Sequence, residues 1–198
     1  YASENNLKVS VRAGGHNSAG SSVRQDGLVI DLSALNEISV DSGKQIVSIQ
    51  PGVRSQDLTN ALAKEGLSFP VPHCPSVGLS GFCLGGGIGW NYAQHGGVST
   101  HSIVRAEVVA FDGRVIIATA SQNSDLFWAL RGAGPGFFGV VTRLYLQAYP
   151  APRAIFASTY IAQLSELELV TSNLNKIRTE HDVSRLELLN VLVHSPNA

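Results

Sequence analysis

The sequence predicts an α+β fold, with more strands than helices, on two observations. Short β-branched or alternating apolar runs recur at 7–11, 28–32, 45–50, 103–111, 114–119 and 140–149, while helical periodicity is confined to 55–65 and 125–131 before the prolines at 150 and 152. Between these runs lie three glycine clusters, at 14–15, 85–89 and 132–139, the second within a Pro/Gly/Ser-rich stretch from Phe69 to Gly97 that is too apolar to be a linker.

The first run, Lys8-Val9-Ser10-Val11, leads into Arg12-Ala13-Gly14-Gly15-His16-Asn17-Ser18. Paired glycines let the backbone approach a neighbour closely or take up positive φ. His16 is either a turn residue or a chemical group presented by that turn. Ser55 reads as the cap of a helix through Glu65, with Leu58 and Leu62 on one face and Gly66 as the stop. Phe69 to Gly97 reads as a long irregular segment, and such segments inside compact domains are usually functional. Asp112-Gly113 between two apolar runs marks a hairpin. Asn123 or Ser124 caps the helix DLFWALR, and a glycine loop then enters the strand 140–149. Beyond Pro150 and Pro152 a second unit begins, read as strand 154–161, helix 164–181 and strand 185–194. The domains are therefore 1–150 and 151–198. Met is absent even at position 1, and both ends read as cuts: Tyr1–Asn6 as the tail of a helix, 191–194 as an open strand.

Bulk properties exclude several classes. The net charge of −1 offers no basic field for nucleic acid. No apolar run is long enough to span a bilayer, so a soluble globular protein without membrane partners is expected. No metal site is expected. Cys74 and Cys83 could form a disulfide, but two cysteines make no framework and fix no compartment, and no feature fixes an oligomeric state.

The glycine motifs are not the common nucleotide loops. Gly134-Pro135-Gly136-Phe137-Phe138-Gly139 has the G-x-G-x-x-G spacing, but a helix precedes it and a strand follows, the reverse of the dinucleotide arrangement. Gly85-Gly86-Gly87-Ile88-Gly89 lacks that spacing and a P-loop lysine, and Gly78-Leu79-Ser80-Gly81-Phe82 is no nucleophile elbow. Glycine runs do expose backbone N–H groups that can cradle anions, and a large flat ligand with a diphosphate would use them in several places. Turns alone would account for them equally well.

Taken together, VSVRAGGHN, HCPSVGLSGFCLGGGIGW and DLFWALRGAGPGFFGVVTRLYLQAYP resemble the FAD-linked oxidases of the vanillyl-alcohol oxidase type, and within them the berberine-bridge-enzyme-like bicovalent branch. The resemblance covers 7–150; 151–198 matches only in type. It implies an FAD-binding domain of two α/β subdomains, followed by the start of an antiparallel-sheet substrate domain with helices. It implies FAD bonded through its 8α-methyl to His16 and through C6 to Cys74, a pair of bonds that should hold the ring rigidly and raise its potential. Cys83 matches no bonding position. Arg12, Ala13, Gly14, Gly15, His16, Asn17 and Ser18 would wrap the pyrophosphate. Val77, Gly78, Ser80, Gly81, Gly85, Gly86, Gly87, Gly89 and Trp90 would line the flavin side, and Gly139, Val140 and Val141 the adenosine. Ser18, Phe82 and the stretch Asn91–Gly96 with Thr100-His101 depart from the family pattern, so its substrate-side chemistry is not carried over. Tyr92 and His95 read as surface or packing residues.

The activity implied is an oxidase: a small hydroxyl- or amine-bearing substrate (sugar, alcohol or alkaloid-like) gives a hydride to flavin, and O₂ reoxidises it to form H₂O₂. The base is expected beyond Ala198. Val77, three residues after Cys74, would stand where O₂ reacts, valine going with oxidases and leucine with dehydrogenases. A dehydrogenase using another acceptor and an inactive flavin-binding chain are the competing functions.

Overall fold

The computed structural model describes residues 1–183 and 185–193. Its first compact unit runs from Tyr1 to Pro152 and its second from Arg153.

Strand β1, Lys8–Arg12, pairs in parallel with β2, Gly27–Asp31, as a separate two-stranded sheet. A five-stranded antiparallel sheet follows, built from β3 (Ile38–Asp41), β4 (Ile46–Ile49), β6 (Ile103–Val109), β7 (Val115–Thr119) and β8 (Val140–Gln147) in the order β3-β4-β8-β6-β7. The short β5, Leu67–Ser68, pairs with β9, Tyr149–Pro150. Helices α1 (Ser55–Ala63), α2 (Leu79–Leu84) and α3 (Ser124–Leu130) complete the unit.

Side chains alternate along the sheet, as the pleat requires, except at two register shifts in the β6–β8 pairing, between Ile103 and Arg105 and between Glu107 and Val108. Ala106, Val108, Leu144, Leu146, Val47 and Ile49 turn inward and meet Leu58 and Leu62 of α1, Leu79 and Cys83 of α2, and Phe127 and Leu130 of α3. The intervening positions carry polar groups. Tyr145 donates to Glu107 at 2.7 Å, Arg105 stacks over the Tyr145 ring, and Arg143 donates to Ser48 and Glu37.

Several expected boundaries move. Residues 38–41, passed over in the sequence, form β3 against β4. Helix α1 is capped at Arg54 rather than Ser55, because the Ser55 side chain is buried and its hydroxyl donates to the Pro72 carbonyl instead; the helix ends at Ala63, short of Glu65. Asn123, in the left-handed region at φ 49°, precedes α3 and donates to the Ile117 carbonyl. The segment 69–97 is not wholly irregular, since it holds α2 and a 3-10 turn at Tyr92–His95. Tyr1–Asn6 closes helical-type turns, with Asn5 N donating to Tyr1 O and Leu7 N to Ala2 O.

In the second unit, α4 spans Leu167–Glu180 after a 3-10 turn at Leu164–Glu166, which agrees with the helix expected at 164–181. The two flanking strands do not form among the described residues. Residues 154–161 and 185–193 join no ladder and leave Ile155, Phe156, Tyr160, Ile161, Leu189 and Leu192 exposed, and position 194 lies outside the described residues. β-branched composition makes a segment fit for a sheet, but a ladder needs a partner strand.

Candidate functional site

β1 ends at Arg12, whose guanidinium meets Asp31 at 2.6 Å across the parallel pair. The Ser33 hydroxyl and N–H, then Arg12, hold the Asp31 carboxyl at about 2. The Arg12 charge is thus already engaged, and its Nε lies beneath Gly15, which takes φ +66°. After the turn, the Asn17 carboxamide oxygen accepts from Ala19 N, which fixes the exit of the loop.

A second loop crosses the first at Gly14 and Gly78. A Cβ on Gly14 would fall 2.6 Å from Gly78 Cα, and one on Gly78 would fall 2.7 Å from Gly14 Cα. Only two glycines let these backbones touch. On its other side Gly78 bridges Arg54, and the first N–H groups of α1 complete the hold: Ser55 N donates to Val77 O and Gln56 N to Pro75 O. The orphan donors of a helix start are satisfied by the loop itself.

The crossing brings His16 and Cys74 together. His16 Nε2 is 3.9 Å from Cys74 Sγ, and the Ser76 hydroxyl is 3.2 Å from the same sulfur. Both His16 and Cys74 are exposed. The Ser76 hydroxyl and N–H, then His16, pull the Cys74 thiol below its usual pKa. Cys83 is the opposite case: fully buried in the core and pushed up to about 12 by burial alone. Both cysteines are free thiols, so the disulfide does not form.

The glycine run beyond divides into two kinds. Open space lies over Gly81 and Gly86. Gly87 is pressed by Phe82 and Ser99, and Gly89 by the carbonyls of Pro70 and Val71, where no side chain fits. Ser80 is buried with its hydroxyl unpartnered among the described residues. Gly85 lies between the end of α2 and Gly134 of the third glycine cluster, and Gly132 N donates to Leu84 O. Trp90 stacks on His73, with ring centroids 4.0 Å apart. Gly139 and Val140 belong to the entry of β8, Gly139 against the Val108 side chain, and the Val141 side chain is packed in the core. His95 is buried and stacks on Tyr149, a packing role as the sequence implied. Val77 is half-buried between the Cys74 carbonyl, to which its N–H donates, and Ser55 N.

Three participants escaped the sequence reading. Ser76 sits inside the quoted Cys74-Pro75-Ser76-Val77-Gly78 run, and its spacing of two from the thiol was the available signal. His73 and Asp31 carry no local pattern of their own.

The chain is similar to known proteins over most of its length. The FAD binding domain family matches residues 1–119. (R)-6-hydroxynicotine oxidase of Paenarthrobacter nicotinovorans is 39% identical over 185 residues, 92% of this chain and 40% of that protein. FAD-linked oxidoreductase janO of Penicillium janthinellum is 39% identical over 160 residues, 81% of this chain and 35% of that protein. Among solved structures, 6-hydroxy-D-nicotine oxidase from Arthrobacter nicotinovorans superposes with a TM-score of 0.83 at 39% identity, over 89% of this chain and 39% of its own. Carbohydrate oxidase from Microdochium nivale superposes with a TM-score of 0.72 at 36% identity, over 76% and 32%. The chain thus spans about 40% or less of the length of these relatives.

Proposed function

The chain belongs to the FAD-linked oxidase family of the vanillyl-alcohol oxidase type, through its FAD binding domain, and from that premise we propose that it is the flavin-holding part of an oxidase with FAD bonded twice, at His16 and Cys74. The observation that carries the proposal is the meeting of these two side chains, 3.9 Å apart, above a crossing that only glycines allow.

The chain's own groups fit such a cofactor. Gly81 and Gly86 leave open space, Ser80 holds an unpaired hydroxyl, and the 12–18 loop turns on paired glycines. Such turns can present N–H groups to a diphosphate. Bound FAD would take two electrons from a substrate carbon bearing a hydroxyl or amine and pass them to O₂. The imidazole of His16 would bond the 8α-methyl and the sulfur of Cys74 the ring carbon C6. Ser76 and His16 raise the thiolate share of Cys74 at neutral pH, and the thiolate is the nucleophilic form. The Arg12–Asp31 pair holds the start of the loop that carries His16. The names of the relatives, a hydroxynicotine oxidase and a carbohydrate oxidase, support a small amine- or hydroxyl-bearing substrate.

Mass spectrometry of the denatured, digested holoprotein tests the proposal. The peptide between Arg12 and Arg24 is expected to carry FAD, and His16→Ala is expected to lose that bond while keeping the one at Cys74. An unmodified His16 peptide from a yellow holoprotein would remove the first bond from the proposal.

A further inference from the structure

Trp90 closes the glycine run, yet its ring lies against His73 of a different loop, with centroids 4.0 Å apart and planes inclined by 32°. The backbone around it is clamped to the same loop. Trp90 N donates to Val71 O at 2.9 Å, and Gly89 packs on the carbonyls of Pro70 and Val71. Ser99 Oγ donates to Pro70 O at 2.7 Å, and Ser55 Oγ to Pro72 O at 3.3 Å. Residues 70–72 are therefore held by hydrogen bonds, and His73 by a ring.

Cys74 comes next, exposed with Pro75 and Ser76. The Cys74 carbonyl accepts from Val77 N, and the chain is tied to α1 at Pro75 and Val77, whose carbonyls accept from Gln56 N and Ser55 N. The thiol thus sits between two anchors, and the upstream one ends in an aromatic stack. His16 has no such dependence, because β1 and the Gly14–Gly78 crossing carry its loop.

We propose that Trp90, through its stack on His73, is a positioning residue that aims Cys74 at the flavin ring and so governs the second covalent bond but not the first. The inference rests on the doubly bonded flavin proposed above. Forming that second bond exchanges the Cys74 S–H and one ring C–H for a C–S bond, and the two hydrogens with their two electrons pass to O₂ as H₂O₂. An aromatic pair of this kind biases a loop arrangement by about two- to tenfold.

The test is the occupancy of each bond in purified full-length protein, read by mass spectrometry of the His16 and Cys74 peptides, beside the melting temperature. Trp90→Ala is expected to lower Cys74 occupancy about two- to tenfold, with His16 occupancy unchanged. Trp90→Phe is expected to restore most of it. His73→Ala, which removes the other ring of the pair, should repeat the selective loss should Trp90→Ala fold poorly. Full Cys74 occupancy in both alanine variants overturns the inference alone. Parallel loss of both bonds with a lowered melting temperature in both variants also overturns it, since the stack would then hold only the fold. A wild type without flavin on Cys74 overturns the doubly bonded reading, and the inference with it.

Discussion

Cys74 and Cys83 lie on one short stretch and have opposite chemistry. Cys74 is exposed beside His16 and Ser76, while Cys83 is sealed in the core with its thiol held at about 12. Cys74→Ala is expected to leave flavin bonded at His16 alone, with a shifted absorbance spectrum and little change in melting temperature. Cys83→Ala should keep both bonds and cost about 1–2 kcal/mol from the cavity it leaves, seen as a lower denaturation midpoint. A spectrum shifted by the second variant and not the first would reverse the assignment. Val77 sits on the same loop, pinned at its N–H by Cys74 and at its carbonyl by Ser55. On the proposed oxidase reading, one extra methylene there should obstruct a diatomic gas more than a substrate. Val77→Leu is expected to slow reoxidation by O₂ about tenfold, about 1.4 kcal/mol of barrier, and to spare reduction. Stopped-flow records of the two half-reactions check this, and equal slowing of both would point to distortion instead.

At the scale of elements, the crossing of the two loops is the most demanding feature. Gly14→Ala would drive a Cβ to 2.6 Å from Gly78 Cα, and backbone cannot yield there as a side-chain tip can. It is expected to cost about 1–3 kcal/mol and to abolish attachment at both His16 and Cys74. Gly136→Ala, where a Cβ meets open space, serves as the control and should stay within about 0.5 kcal/mol of wild type. Chemical denaturation beside peptide mass spectrometry reads both effects. This crossing also marks how far the sequence was legible. The glycines, His16 and Cys74 could be picked out from their motifs, but not that Gly14 and Gly78 press on each other, because that contact joins residues far apart in the chain. Helix α2 was hidden for a related reason. LSGFCL carries an internal glycine and reads as loop by propensity. Leu79 and Cys83, one turn apart and both fully buried, supply the packing that overrides it. β3 was hidden by its brevity, four residues whose strand character depends on β4 beside it. The expected strands at 154–161 and 185–194 failed in the other direction, the described residues of both having the composition without a partner.

For the whole molecule, the main hydrophobic cluster among the described residues runs from Val47 to Ala148, inside the unit that ends at Pro152. A protein cut after Pro152 is therefore expected to melt cooperatively within about 2 °C of the 198-residue chain. Scanning calorimetry on both checks this, and a loss of cooperativity in the shorter chain would show that the second unit supports the first.

The order β3-β4-β8-β6-β7 puts the last strand of the sheet to be synthesised at its centre. Ile49 waits for Leu144, and Ile103 for Leu146. As the chain leaves the ribosome, the β3–β4 and β6–β7 hairpins can close early, since their contacts are local. They remain two half-sheets with unpaired edges until β8 emerges and joins them. The nascent protein therefore passes through a long interval in which its edges are open to wrong partners, and productive folding begins only when almost the whole of the first unit has been made.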